Sequence, residues 1–287
     1  METVDELEPN VPMEVQPFAQ VSVQSGGYLI ELSLDWIVLR ASENIHRLLG
    51  ESHVTLIGEP LGRFVHSQAL HDLRNLFSRL SGTTGIGRAY GVRLTDDPDL
   101  VDIAFRLSDG RVLLEALPAS GAYGEAFGSV GGLIAGLSNS RGQALLDAGA
   151  RRMRALTGYD RVTLVCGGDR AESSRGAFAA PADMAADFPA IVADAQATAI
   201  PVFPRDADET SVADALLCAP ATEAANALAA GGVRSAMRVT FSVDDLHGEF
   251  RCDSRTEREP SFELHAAAEL FAQLFAMRLE IDHLKNG

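Results

Sequence analysis

The sequence predicts an α+β fold of two consecutive domains, each an antiparallel sheet flanked by helices, with a long helix at the C-terminus. Three observations predict it. Val101, Ile103, Phe105 and Leu107 stand at every second position, Asp109-Gly110 supplies a tight turn, and Val112 to Leu117 returns as a second strand. The same pattern recurs from Ser235 to Ser242 and from Leu246 to Cys252 around Asp244-Asp245. Between and after these hairpins, Leu145, Gly149, Met153 and Leu156, and later Leu264, Ala268, Phe271 and Phe275, repeat at the three-to-four spacing of helices with one buried stripe.

Taken in order, residues 1–17 form an irregular arm whose prolines deny it regular hydrogen bonding. Val21 and Val23, Tyr28 to Leu34 and Trp36 to Leu39 read as strands, with Gly26-Gly27 at a turn. Ser42 is placed to cap a short helix from Glu43 to Leu49, which Gly50 closes. A second helix is expected over Ser67 to Leu80, with Leu70, Leu73, Phe77 and Leu80 on one face. The turn-rich stretch from Pro118 to Gly128 marks a boundary, so the domains are expected at 18–120 and 121–287. A helix ending at Gly158 then feeds the strand Arg161 to Cys166, whose core side carries Val162, Leu164 and Cys166. An alanine-rich region follows to Gly232, then the second hairpin and a helix over Ser261 to Leu284.

Composition limits the function. A chain of 287 residues, 46% hydrophobic, can bury a large core. The net charge of -16 argues against nucleic acid as a partner, because phosphate binding needs a basic face. No apolar run approaches the roughly 18 residues of a membrane span, and METVDELEPN is unlike a signal or transit peptide, so a soluble cytoplasmic protein is expected. Cys166, Cys218 and Cys252 are too widely spaced for a zinc site or a disulfide framework. The glycine runs Gly82 to Gly91 and Gly128 to Gly136 lack the phosphate-binding pattern and read as loops and close helix packing. His66 and His71 fall on different helix faces and read as surface residues rather than metal ligands. With no assembled catalytic motif, an enzyme is not expected.

The last helix carries a second apolar stripe, Leu270, Leu274, Met277, Ile281 and Leu284, at alternating steps of four and three. Such a seam fits a parallel partner helix, or else a second core stripe of the same chain; of the two, a homodimer through it is the expectation preferred, because the seam persists to the last residues.

Several segments resemble, in order, the PAS-GAF chromophore-binding region of bacteriophytochromes. Val15 to Pro17 resembles the opening of that family's PAS domain, and Leu156 to Val162 (LTGYDRV) is nearly the family's own wording. Asp187 to Pro189 (DFP), Gly231 to Met237 (GGVRSAM) and Leu246 to Ser254 (LHGEFRCDS) resemble three GAF motifs. The resemblance implies a PAS domain followed by a GAF domain, a possible knot formed by the N-terminal arm, and a sensory role upstream of a histidine kinase or other output partner.

It also implies a bilin site from which the gripping residues have gone. At the family's spacing from Gln16 the attachment cysteine is replaced by Val4. The pocket histidine falls at Thr222 or, by another alignment, Ala224; the tyrosine and the two propionate-pairing arginines fall at Gln196, Val202 and Leu216. A strand tyrosine is replaced by Val165, and two histidines by Asp253 and Ser254. Of the polar pocket residues only Asp187 survives, and its position before Pro189 equally suits a helix N-cap. The expectation is a phytochrome-like sensory module without a cofactor. Biliverdin held noncovalently or by a displaced cysteine, and a GAF domain for another small ligand, are the alternatives.

Overall fold

The computed structural model describes residues 21–80, 85–121, 123–180, 182, 187–205, 209–244 and 246–286, with the side chains of 209–211 and 283–286 outside that description. The arm, Val4 and the expected knot lie outside the described residues.

The first half contains β1 (Ser22–Val23), β2 (Tyr28–Leu32), β3 (Val38–Ser42), the short helices α1 (His46–Leu49) and α2 (His53–Leu56), α3 (Ser67–Phe77), β4 (Ile86–Val92), β5 (Val101–Ser108) and β6 (Arg111–Pro118). The hairpin between β5 and β6 closes at Ser108 opposite Arg111. Asp109 and Gly110, at φ 47° and 74°, both enter the left-handed region that such a two-residue turn demands. Alternation sorts the side chains of these strands onto two faces. Ile103, Phe105, Val112 and Leu114 pack with Trp36 and the helical residues Leu70 and Leu73. Ala104, Leu113 and Leu117 face the other way, toward the second half of the chain.

Two local expectations are corrected here. Ser42 does not cap the following 3-10 turn, Glu43–Ile45; it ends β3, and its hydroxyl accepts the Leu29 N–H at 3.1 Å. The α3 helix stops at Phe77, where the Ser78 hydroxyl donates to the Asn75 carbonyl at 2.9 Å.

The second half contains α4 (Glu125–Ala135), α5 (Gly142–Thr157), β7 (Arg161–Cys166), β8 (Asp169–Ser174), β9 (Ile191–Val192), β10 (Ile200–Phe203), α6 (Thr222–Ala230), β11 (Ser235–Val243), β12 (Leu246–Ser254) and α7 (Phe262–Asn286). The glycine run Gly128 to Gly136 therefore lies in and just after a helix rather than in a loop. A five-stranded antiparallel sheet runs β8-β7-β12-β11-β9. One face is covered by α5 and α7. Val162, Leu164, Val239 and Phe250 meet Leu145, Met153, Phe271 and Phe275 there. Gly149 belongs to this stripe because a Cβ at its position would collide with the Phe275 ring. Gly158, at φ 67°, turns the chain from α5 toward β7.

Among the elements that the sequence does not anticipate, β10 decides how the halves join. It arises in the alanine-rich region, yet it joins the first sheet, whose order is β1-β10-β3-β2-β6-β5-β4. Val202 pairs with Ser42 and Phe203 with Ala41 on one side, while Pro201 and Ile200 pair with Ser22 and Val23 on the other. The Phe203 ring stacks on His53 at 4.7 Å. The two halves thus share a sheet.

Buried polar groups complete the seam. The Gln24 amide donates to the carbonyls of Ile191 (2.6 Å) and Cys218 (3.1 Å) and accepts the Ala193 N–H at 2.7 Å. Arg88 of β4 reaches Glu269 (2.6 Å) and His265 (3.0 Å) on α7. Among the described residues no helix is long and apolar enough to cross a membrane.

Candidate ligand face of the second sheet

Strand alternation gives the second sheet a polar face opposite its helices. Arg161, Thr163 and Val165 of β7 lie there beside Asp253, Arg251 and Glu249 of β12, their cross-strand partners in register. Arg161 and Asp253 are 2% and 0% exposed. The Arg161 guanidinium donates from Nε (2.9 Å) and Nη2 (2.7 Å) to the same Asp253 oxygen, and from Nη1 to the Ala180 carbonyl at 2.7 Å. Arg251 Nε donates to the other Asp253 oxygen at 2.9 Å. Buried charges persist only when paired in this way, because an uncompensated ion in a low-dielectric interior is strongly destabilising.

Two aromatic rings close over these cations. Phe178 lies 4.0 Å from the Arg161 guanidinium carbon, and Phe188 lies 4.9 Å from that of Arg251 and 5.4 Å from that of Arg238. Guanidinium groups favour the electron-rich faces of such rings, the more so when desolvated. Phe188 also packs with Val192, Ala224, Leu228, Val233 and Ala236 in a small apolar cluster between the sheet and α6. Farther along β12, burial raises the Glu249 carboxyl above its usual range, against the attraction of Arg238 and Arg251. Openings on or beside this face include a groove of about 730 Å3 lined by Val165, Thr240, Phe241 and Glu249 with Gln273 of α7, and an open cleft between the halves, about 500 Å3, lined by Arg106, Asp187, Phe188, Cys218 and Arg238.

The structure separates the candidate positions named from the sequence. Val165 and Asp253 share the polar face, whereas Ser254 alternates to the side of Cys252 and its carbonyl accepts the Arg234 N–H at 2.8 Å. Asp187 stands exposed at the edge, where it pairs with Arg238 at 2.9 Å. Its reading as a helix cap is corrected: the next element along the chain is the strand β9, and no helix begins at Asp187. Gln196 is exposed, its N–H donating to Asp194 at 3.0 Å. Val202 and Leu216 are buried in the seam between the halves rather than on the polar face. Thr222 opens α6 and is exposed, while Ala224 packs in the Phe188 cluster.

Sequence reasoning missed Arg161, Arg251, Phe178 and Phe188. The charged residues carried a usable signal, since Arg161 and the Glu249-Arg251-Asp253 triplet alternate with the apolar Val162, Leu164, Phe250 and Cys252 along their strands. The phenylalanines carried none, because they come from irregular segments.

Residues 10–117 match the model of a PAS fold family. The chromophore-binding domain of a Stigmatella aurantiaca phytochrome superposes with a TM-score of 0.72 at 22% identity, over 93% of this chain and 98% of that one. The chain has the fold of a phytochrome chromophore-binding domain. The photosensory core module of a Stigmatella aurantiaca phytochrome gives a TM-score of 0.76 at 21% identity, over 98% of this chain and 61% of that one. The chromophore-binding domain of an unusual bacteriophytochrome from R. palustris gives 0.71 at 21% identity, over 93% and 97%. No curated protein matches the chain by sequence. In this phytochrome-like fold the polar face of the second sheet belongs to the GAF half, and the shared strand β10 binds it to the PAS half.

Proposed function

We propose that the chain is a phytochrome-type signal-transduction module that works without a bilin, through protein contacts and its terminal helix. The observation that carries this reading is the occupied polar face of the GAF sheet. Arg161 and Asp253 neutralise each other there, and Phe178 and Phe188 lie over the cations where a pigment would need open space and free guanidinium groups. A ligand pocket needs concave space for most of the ligand's surface. The positions from which the resemblance would draw propionate partners are aliphatic and committed elsewhere, Val202 to a strand and Leu216 to the seam.

The cysteines offer poor replacements. Cys166 and Cys252 belong to the core under α5 and α7, and burial pushes both thiols up, away from the nucleophilic thiolate. Cys218 borders the cleft between the halves, but burial and the nearby Glu115 raise its thiol to about 11. Biliverdin added to the purified protein is expected to give no stable red absorbance and no zinc-dependent fluorescent band on a denaturing gel. A far-red band that photoconverts would overturn the reading.

Dimer coupling through α7 is part of the proposal. Leu270, Met277 and Ile281 are 42%, 49% and 47% exposed in a stripe, and Leu274 packs partly on its own core. The helix continues past Leu284, whose side chain lies outside the described residues. A second copy covering this stripe would bury it as a coiled-coil seam. Leu274→Glu with Ile281→Glu is expected to convert a dimer to a monomer in light scattering. A mass unaffected by the two charges would remove the helix from the interface. The output partner, a kinase or other domain, would then read strain passed along α7.

A further inference from the structure

The first half carries a cavity of its own, far along the chain from the GAF sheet. It is partly enclosed, about 440 Å3, and lies where β6 leaves the first sheet for the junction to α4. Its volume falls within the range of small-molecule sites. Tyr28, Leu48 and Val101 form the wall toward the core under α3. Leu100 and Tyr123 form the outer wall and are 39% and 41% exposed. Single apolar residues at a surface are ordinary, but here several large ones turn toward water around one concavity.

These walls are held in place. The Tyr123 hydroxyl donates to Asp102 at 2.8 Å, and the same carboxylate oxygen accepts the Gly91 N–H at 3.0 Å. The Ala119 N–H donates to the Leu100 carbonyl at 2.9 Å. In the loop before β5, the Asp97 N–H donates to the Thr95 hydroxyl at 3.3 Å and the Asp99 N–H to the Asp97 carboxylate at 3.0 Å. The space is preformed, so binding would not have to order it.

Charge supplies the chemistry. Arg47 of α1 borders the cavity, and so do Asp97 and Asp99 of the loop. Among the described residues neither Arg47 nor Asp99 forms an ion pair, so opposite charges share one cavity without neutralising each other. Aromatic and aliphatic walls between a separated cation and anions complement a molecule that carries both charges on an apolar body.

We propose that this cavity binds a small zwitterion with an aromatic body, the chemistry of an aromatic amino acid, its carboxylate toward Arg47 and its ammonium toward Asp97 and Asp99. Such an occupant would touch Tyr123, whose neighbour Gly124 donates its N–H to Glu263 of α7 at 2.8 Å. The site therefore borders the connection from the first half to the terminal helix. It is independent of the pigment reading, because the first half and the junction alone line it.

NMR titration of the full chain with three probes tests this. L-phenylalanine is expected to shift the resonances of Leu48, Leu100 and Tyr123 saturably, with a dissociation constant of about 1 mM or tighter. The probes 2-phenylethylamine and 3-phenylpropionate, each lacking one charge, are expected to bind at least about threefold more weakly. Arg47 and Asp99 are exposed, so their substitution leaves the fold intact. Arg47→Glu is expected to weaken L-phenylalanine at least about fivefold without weakening 2-phenylethylamine. Asp99→Asn is expected to weaken both of these and leave 3-phenylpropionate unchanged. Saturation that is absent at about 20 mM L-phenylalanine overturns the site. Equal affinity for the three probes, or affinities that ignore both substitutions, overturns the zwitterion assignment.

Discussion

Replacing Asp253 with alanine is expected to destabilise the protein by about 3–5 kcal/mol, enough to endanger folding at ordinary temperature. Asp253 is fully buried and takes two hydrogen bonds from Arg161, which is itself 2% exposed. Without the carboxylate, the Arg161 guanidinium keeps the Ala180 carbonyl and the Phe178 face but no counter-charge. Neither a carbonyl nor a ring offsets the desolvation of a full charge. Denaturant unfolding of Asp253→Ala should therefore show a much lower midpoint with a similar slope. Asp253→Asn, which keeps the shape and one acceptor, should fall between. If Asp253→Ala unfolds at the original midpoint, water already reaches Arg161, and the picture of a filled polar face fails with it.

The second large effect concerns the strand that the halves share. Val202→Asp would set an unpaired carboxylate at a site 1% exposed, in a cluster with Leu29, Leu113 and Leu217. A loss of about 3–5 kcal/mol is expected, as for other uncompensated buried charges. The informative part is where the damage appears. Trp36, the chain's one tryptophan, packs in the core on the far side of the first sheet. Because β10 lies between β1 and β3, a lesion in the second half should lower the melting transition seen by Trp36 fluorescence and that seen by far-ultraviolet circular dichroism together. An unmoved Trp36 transition beside a shifted overall one would mean that the first sheet stands without its borrowed strand.

Both predictions involve residues for which strand periodicity was informative to different degrees. The hairpins β5-β6 and β11-β12 were legible because alternation and a two-residue turn are local properties. The helices α5 and α7 were legible because their stripes repeat over several turns and Gly158 ends the first. The strand β10 was not legible. Four residues, Ile200 to Phe203, give no periodicity to read, and their partners stand more than a hundred residues earlier. The polar face was half legible. Alternation places Arg161 and Asp253 on one side of their strands, but only register makes them a pair. That Phe178 and Phe188 close over that side depends on irregular chain whose path no local pattern records.

By itself, then, the sequence determined the two antiparallel hairpin sheets, the long terminal helix and the order of the halves, because each arises from side-chain spacing within a few neighbours. The tertiary structure alone decided that the halves share a sheet, that Glu115 is sealed between them and that buried ions and rings fill the GAF face. These outcomes depend on contacts between residues far apart in the chain, where desolvation and pairing act together and no single segment carries the information.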